Sequence, residues 1–185
     1  GHSVIACGRR ENILNELSTQ NSSVQGVRLD ICDIDSTSQT ISSLFAQTRI
    51  DIAIVTAGIG DLNPTLDNTI ELNTLQTNVT AWTNCVDLLY KSFQKQSFGH
   101  LVLITSVGGL RGEPAAPAYS ASKAYQMNYA EALKKKAFKN LPSLTITEIR
   151  PGLVDTAMAK GDGLFWVMPT NVVVKQILRA INKKQ

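Results

Sequence analysis

Short β-rich runs alternate along the chain with longer stretches of helical spacing. Residues 2–7 (HSVIAC) predict a short buried strand, and residues 10–19 a helix with Ile13, Leu14 and Leu17 on one face. Residues 24–29 predict a second strand, and residues 36–48 a second helix striped by Ile41, Leu44 and Phe45. Residues 51–57 (DIAIVTA) read as a third strand, stopped by Gly58. Leu75, Val79, Trp82, Val86, Leu89 and Phe93 are spaced for one long helix over residues 67–96. Residues 101–105 (LVLIT) are the most apolar strand. A helix over 118–138, a strand over 144–149 and an amphipathic helix over 171–183 complete the pattern.

Five strands separated by helices predict an α/β fold, a doubly wound parallel sheet covered on both faces in a single domain over residues 1–185. Right-handed crossovers gather functional residues at the carboxyl ends of such strands. Chemistry is therefore expected just after Cys7, Leu29, Ala57, Thr105 and Ile149.

Composition narrows the class. With 43% hydrophobic and 18% charged residues the chain can bury a core, which excludes a disordered chain and a coiled coil. A net charge of +3 without a clustered patch gives no argument for nucleic acid. The three cysteines, Cys7, Cys32 and Cys85, form no C-x-x-C pair and read as small buried residues of a reducing compartment. His2 and His100 precede strands and lack partners at metal-ligand spacing, so no metal site is expected. No apolar run approaches the roughly 18–20 residues of a membrane span. The opening GHSVIACGRR has no signal-peptide layout. A soluble cytoplasmic protein is the expectation.

One constellation carries chemistry. Ser106 follows the strongest strand, Tyr119 comes thirteen residues later, and Lys123 stands four residues on, on the same helical face as Tyr119. An ammonium near a phenol favours the phenolate, which suits proton exchange with an alcohol or carbonyl oxygen near neutral pH. Ser106, at a neighbouring strand end, could donate a hydrogen bond to that oxygen. Tyr-x-x-x-Lys alone is ordinarily a surface pair; a strand-end serine at this distance makes it specific. Ser120 and Lys123 have S-x-x-K spacing, but no S-D-N or K-T-G follows, and Ile104 breaks a G-x-S-x-G elbow around Ser106.

The segment ITSVGGLRGEPAAPAYSASKA, residues 104–124, resembles the Ser…Tyr-x-x-x-Lys segment of the short-chain dehydrogenases/reductases. TAGIG (residues 56–60) is similar to that family's N-N-A-G, with Thr56 where the second Asn is usual. Asn78 matches the family's catalytic Asn, and RPGLVDT (residues 150–156) its P-G-x-V-x-T clamp. The resemblance implies a Rossmann-like oxidoreductase that interconverts a carbonyl and an alcohol with a nicotinamide cofactor. Tyr119 would be the general acid or base. Lys123 would assist it and hold the nicotinamide ribose, Ser106 would orient the substrate oxygen, and Asn78 would hold a water of the proton relay. Pro151, Gly152, Val154 and Thr156 would contact the nicotinamide end, Asp30 and Ile31 would bracket the adenine, and Ala57 and Gly58 would let the backbone approach the adenosine ribose. Paired helices over 67–96 and 118–138 would make a homodimer or homotetramer.

Cofactor choice turns on the loop after the first strand. An acidic residue there would bind the ribose 2′-hydroxyl of NAD, whereas arginine accommodates the 2′-phosphate of NADP. Gly8 stands where an acid would repel the phosphate, and Arg9 and Arg10 follow. Cations are slightly unfavourable at a helix N-terminus, which argues against a merely solvated helix start. NADP(H) is favoured over NAD(H).

A Gly-rich phosphate turn is missing. Gly58-Ile59-Gly60 meets Asn63 where a last glycine should stand, and Gly161-Asp162-Gly163 fails at Trp166. By the resemblance, the chain starts at the family's second strand. A preceding strand, glycine turn and helix are expected in the natural protein, and one more strand is common beyond Gln185. Without its first strand such a sheet would leave two internal strands with unpaired edges. Residues 157–168 (AMAKGDGLFWVM) sit where the family keeps its substrate loop. Met158, Leu164, Phe165, Trp166 and Met168 suit an apolar carbonyl substrate, or equally packing or an association surface. A cofactor-binding module without chemistry and an inactive truncation are the alternatives. The lysines at 134–136 and 139 read as a solvated face.

Overall fold

The computed structural model describes residues 2–156 and 166–183. In chain order it contains β1 (Val4–Gly8), α1 (Glu11–Gln20), β2 (Val24–Arg28), α2 (Ile34–Gln47), β3 (Ile52–Val55) and α3 (Asn68–Leu75). A π-helical turn (Gln76–Ala81) leads into α4 (Trp82–Gln96) and β4 (Gly99–Ile104). A short 3₁₀ turn (Val107–Gly109), α5 (Pro117–Asn140), β5 (Leu144–Ile149) and α6 (Thr170–Lys183) complete it. The strands are parallel, as the alternating pattern predicts, but they form two sheets. One is β1-β2, with Val4 opposite Val24; the other is β3-β4-β5, with Ile52 opposite His100 and Leu101 opposite Ile146.

β1 and β3 each pair on one side only among the described residues. Ile52 and Ile54, alternate residues on one face of β3, are 44% and 48% exposed. The expected apolar stripe of α1 is corrected: Leu14 is buried, while Ile13 and Leu17 are exposed. Among the described residues α1 packs chiefly on β2 and β1, a narrow surface that leaves part of the stripe uncovered.

The core lies between the three-stranded sheet and the pair α4–α5. Leu101, Leu103, Leu144 and Ile146 meet Trp82, Val86, Phe93, Ala130 and Leu133 there. Residues at helical spacing on α4 supply this face, and Phe45 of α2 meets Phe93 edge-on at 5.2 Å. The predicted unbroken helix over 67–96 is interrupted by the π turn at Gln76–Ala81. Periodicity does not report one extra residue per turn, so hydrophobic spacing could not reveal it. His100 lies within β4, not before it, and its Nε2 meets Thr147 Oγ1 at 2.9 Å. The cysteines are all unpaired thiols; Cys85 is buried, but Cys7 is exposed on the open edge strand.

Candidate active site

Ser106 leaves the end of β4 in extended backbone and caps the 3₁₀ turn, its Oγ accepting from the Gly108 N–H at 3.0 Å. The β4–β5 ladder continues past the strands to hold it, through Thr105 N–H to the Ile149 carbonyl at 2.9 Å and Val107 N–H to the Pro151 carbonyl at 3.0 Å. Tyr119 stands in the first turn of α5, after Pro117 at the helix start, a position that needs no N–H. A Cβ on Gly108 would lie 3.2 Å from the Tyr119 ring and 3.3 Å from Ser106 Oγ, so the phenol ring and the serine hydroxyl flank one glycine. Gly60 closes the ring's other side: a Cβ there would come within 2.6 Å of Tyr119 Cδ2. Glycine is required at that close approach.

Lys123 is buried one turn further along α5, its Nζ 5.8 Å from the Tyr119 ring centroid. Burial lowers its amine to about 8. A Cβ on Gly58 would lie 3.3 Å from Lys123 Nζ and 3.4 Å from Asn78 Oδ1, which places the loop after β3 against both side chains. Asn78 is fully buried in the π turn. Its Oδ1 accepts from Ile59 N–H at 2.8 Å, and its Nδ2 donates to the Ile59 carbonyl at 2.7 Å and to Ser122 Oγ at 3.0 Å. The structure thus brings Ser106, Tyr119, Lys123, Asn78 and Gly58 together, at the carboxyl ends of β3 and β4.

The residues expected around a nucleotide lie along the same edge. Arg9 and Arg10 follow β1, exposed and without an ion pair among the described residues. Arg10 precedes α1 without a side-chain cap. Asp30 Oδ1 accepts from Cys32 N–H at 3.0 Å, and Cys32 Sγ meets Thr77 Oγ1 at 3.5 Å, which ties the loop carrying Asp30 and Ile31 to the residue before Asn78. Ala57 is half-buried after β3. Beyond β5, Pro151 is half-buried and Gly152 has open space where a side chain would be. Val154 bridges Met168, and the exposed Thr156 ends this stretch. Met158, Leu164 and Phe165 of the expected substrate loop lie outside the described residues; Trp166 is exposed, and Met168 donates its N–H to the Leu153 carbonyl. The glycine-lined approach to Lys123 and Asn78 fits a nicotinamide nucleotide. No cluster of residues that could hold a metal ion occurs among the described residues.

Three contributors escaped the motifs. Glu71 on α3 accepts from the Ala118 N–H at 2.9 Å through Oε2 and from Asn63 Nδ2 at 2.7 Å through Oε1, so it caps the helix that carries Tyr119. Asn63, buried, also accepts from Asp67 N–H at 2.8 Å and fastens its own N–H to the Ala115 carbonyl. Gln126 links Lys123 to Asn78, with Oε1 at 3.0 Å from Nζ and Nε2 at 2.8 Å from the Asn78 carbonyl. Glu71 and Gln126 lie on helices and Asn63 in the loop after β3; what distinguishes them is a partner far along the chain, and that is not legible locally.

The sequence profile of the short chain dehydrogenase family matches residues 1–163, and the chain belongs to that family, a class of oxidoreductases. Among its relatives, an uncharacterized oxidoreductase of Mycobacterium tuberculosis is 28% identical over 195 residues, covering 100% of this chain and 76% of the relative. Dehydrogenase/reductase SDR family member 7B of Xenopus tropicalis is 28% identical over 211 residues, covering 100% and 68%. The closed form of serine dehydrogenase complexed with NADP+ has the same fold, with a TM-score of 0.83 at 21% identity over 97% of this chain and 79% of that one. No helix among the described residues is long and apolar enough to cross a membrane.

Proposed function

We propose that the chain interconverts a ketone or aldehyde and the corresponding alcohol with NADP(H), using Tyr119 as general acid and base. The observation that carries this reading is the packing of the Tyr119 ring and the Ser106 hydroxyl against the same glycine, with the Lys123 ammonium 5.8 Å from the ring centroid. When bound, the cofactor supplies or accepts the hydride. In reduction, Ser106 donates a hydrogen bond to the substrate oxygen, and Tyr119 gives that oxygen its proton; in oxidation Tyr119 takes it back. The Lys123 cation favours the negative charge left on Tyr119 Oη. Asn78 serves by holding Ile59 in place with both ends of its amide.

Arg9 and Arg10 support NADP over NAD: both are exposed, and neither has an anionic partner among the described residues. The fold neighbour described with NADP+ points the same way. Pro151, Gly152, Val154 and Thr156 would meet the nicotinamide end, Asp30 and Ile31 the adenine, and Ala57 and Gly58 the adenosine ribose. The exposed Trp166 suits an apolar substrate. The long helices α4 and α5 would pair with those of a second copy in a homodimer or homotetramer, and three unpaired thiols suit the reducing cytoplasm.

A panel of carbonyl compounds assayed for NADPH consumption tests the reading. Turnover by the wild type should fall at least about 100-fold in Tyr119→Phe, the effect of losing a general acid, with cofactor affinity nearly unchanged. Near-normal turnover by that variant would refute the assignment. Gly8→Asp combined with Arg9→Ser should move the kcat/KM ratio from NADPH toward NADH by about one to two orders of magnitude, because it adds repulsion and removes a charge-assisted contact. A wild type that already prefers NADH refutes the role of Arg9.

A further inference from the structure

Gln126 follows Lys123 by one turn on α5 and is completely buried, at 0% exposure. A buried amide is costly unless both of its ends find partners. Here both ends go to the active site, Oε1 accepting from Lys123 Nζ at 3.0 Å and Nε2 donating to the main-chain carbonyl of Asn78 at 2.8 Å. We propose that Gln126 is a positioning residue whose side chain couples the Lys123 ammonium directly to the backbone of the π turn. This rests on the reading of Lys123 as the cation that assists Tyr119.

Position 126 belongs to the face of α5 that also holds Ser122, Lys123, Ala130 and Leu133, all buried. Packing alone would be met by Leu or Met there. Neither could accept from an ammonium, and neither could donate to a carbonyl. Glu would accept from Lys123 but, ionised, could not donate to the Asn78 carbonyl. Only Gln joins a donor on one side to an acceptor on the other at this length.

The surroundings of Nζ explain what the coupling does. From its own helix Lys123 faces the Tyr119 ring; from the loop after β3 it faces the Gly58 backbone; from the π turn it faces the uncharged Asn78 amide. No carboxylate forms an ion pair with it among the described residues. The amide oxygen of Gln126 is therefore the acceptor that favours the charged amine against desolvation. The same contact sets where Nζ points, since the other end of the amide is fixed to Asn78.

The test is titration of the intact chain carrying ¹³C-labelled lysine, without cofactor, with the Lys123 resonance identified by its loss in Lys123→Met. Gln126→Met should lower the Lys123 midpoint from about 8, by roughly one unit. Gln126→Glu should raise it, because an ionised neighbour favours the ammonium. In turnover, Gln126→Met should lower kcat at pH 7 about twofold, because a one-unit drop from about 8 leaves about half of the amine charged, and the loss should grow as the pH rises toward 8. A packing role predicts no movement of the midpoint in either variant, and that result overturns the proposal. Should Gln126→Met fail to fold, Gln126→Glu decides alone by the sign of its shift. The titration needs no substrate. Shifts of opposite sign in a chain that reduces no carbonyl would sustain the coupling and sink the enzymatic reading, while unmoved midpoints in an active enzyme would do the reverse.

Discussion

At the scale of single residues, the site is built from burial more than from charge. Lys123 shows the consequence. Burial lowers its amine from an ordinary 10.5 to about 8, so within that window the unfolded chain binds the extra proton and stability rises with pH. The cost of burying the ammonium is fully present below pH 8 and is relieved as the pH approaches 10.5. Relative to the wild type, Lys123→Met should be most favoured near pH 7, by at most about 3 kcal/mol less the cost of leaving Gln126 Oε1 without its donor. Urea unfolding should show the gap closing as the pH rises toward 10.5. A gap independent of pH would contradict this account. Gly60 is the second sensitive residue. A methyl at 2.6 Å from Tyr119 Cδ2 must displace the ring or the loop. Gly60→Ala should cost about 1–3 kcal/mol, as overpacking does, and should lower kcat more than it raises the KM for cofactor. Equal effects on both would locate the damage elsewhere.

At the scale of elements, the start of α5 is the joint on which the site depends. Its first turn carries Tyr119 and ends in unsatisfied N–H groups. Glu71, from α3, supplies both a hydrogen bond to the Ala118 N–H and negative charge at the positive end of the helix. Glu71→Ala should destabilise the chain by about 1–2 kcal/mol and lower turnover, since it frees the turn that carries Tyr119. Glu71→Gln, which keeps an acceptor for Ala118 but places a second donor toward Asn63 Nδ2, should fall between. Thermal unfolding that ranks Gln with Ala would assign the effect to charge alone. The π turn before α4 is the other joint. It inserts Asn78 beneath the loop after β3, where a regular helix would present a different face.

At the scale of the whole molecule, two sheets of unequal burial share one scaffold. β4 is paired on both sides, and Leu101, Val102 and Leu103 are fully buried; in the β1-α1-β2 unit the only buried apolar residue is Leu14. Hydrogen exchange should therefore release the amides of β1 and β2 well before those of β4, through opening that costs less than global unfolding. Synchronous exchange of both sheets would show that the molecule unfolds as one unit.

What the sequence by itself determined is the class and the candidate site residues. Alternation of strands and helices is a local pattern, and Ser106, Tyr119 and Lys123 lie within one 18-residue stretch whose spacing reports their shared face. The parallel pairing and the strand ends follow from that pattern, whereas an unpaired edge was implied only by the family resemblance. What only the tertiary structure decided is how the reacting groups are held. Gln126 finds the Asn78 carbonyl 48 positions away, Glu71 finds the Ala118 N–H 47 positions away, and Gly60 owes its necessity to a ring that arrives from another element. Such contacts have no period and no spacing along the chain. They exist because a buried polar group is costly without a partner, and the fold alone determines which partner is within reach.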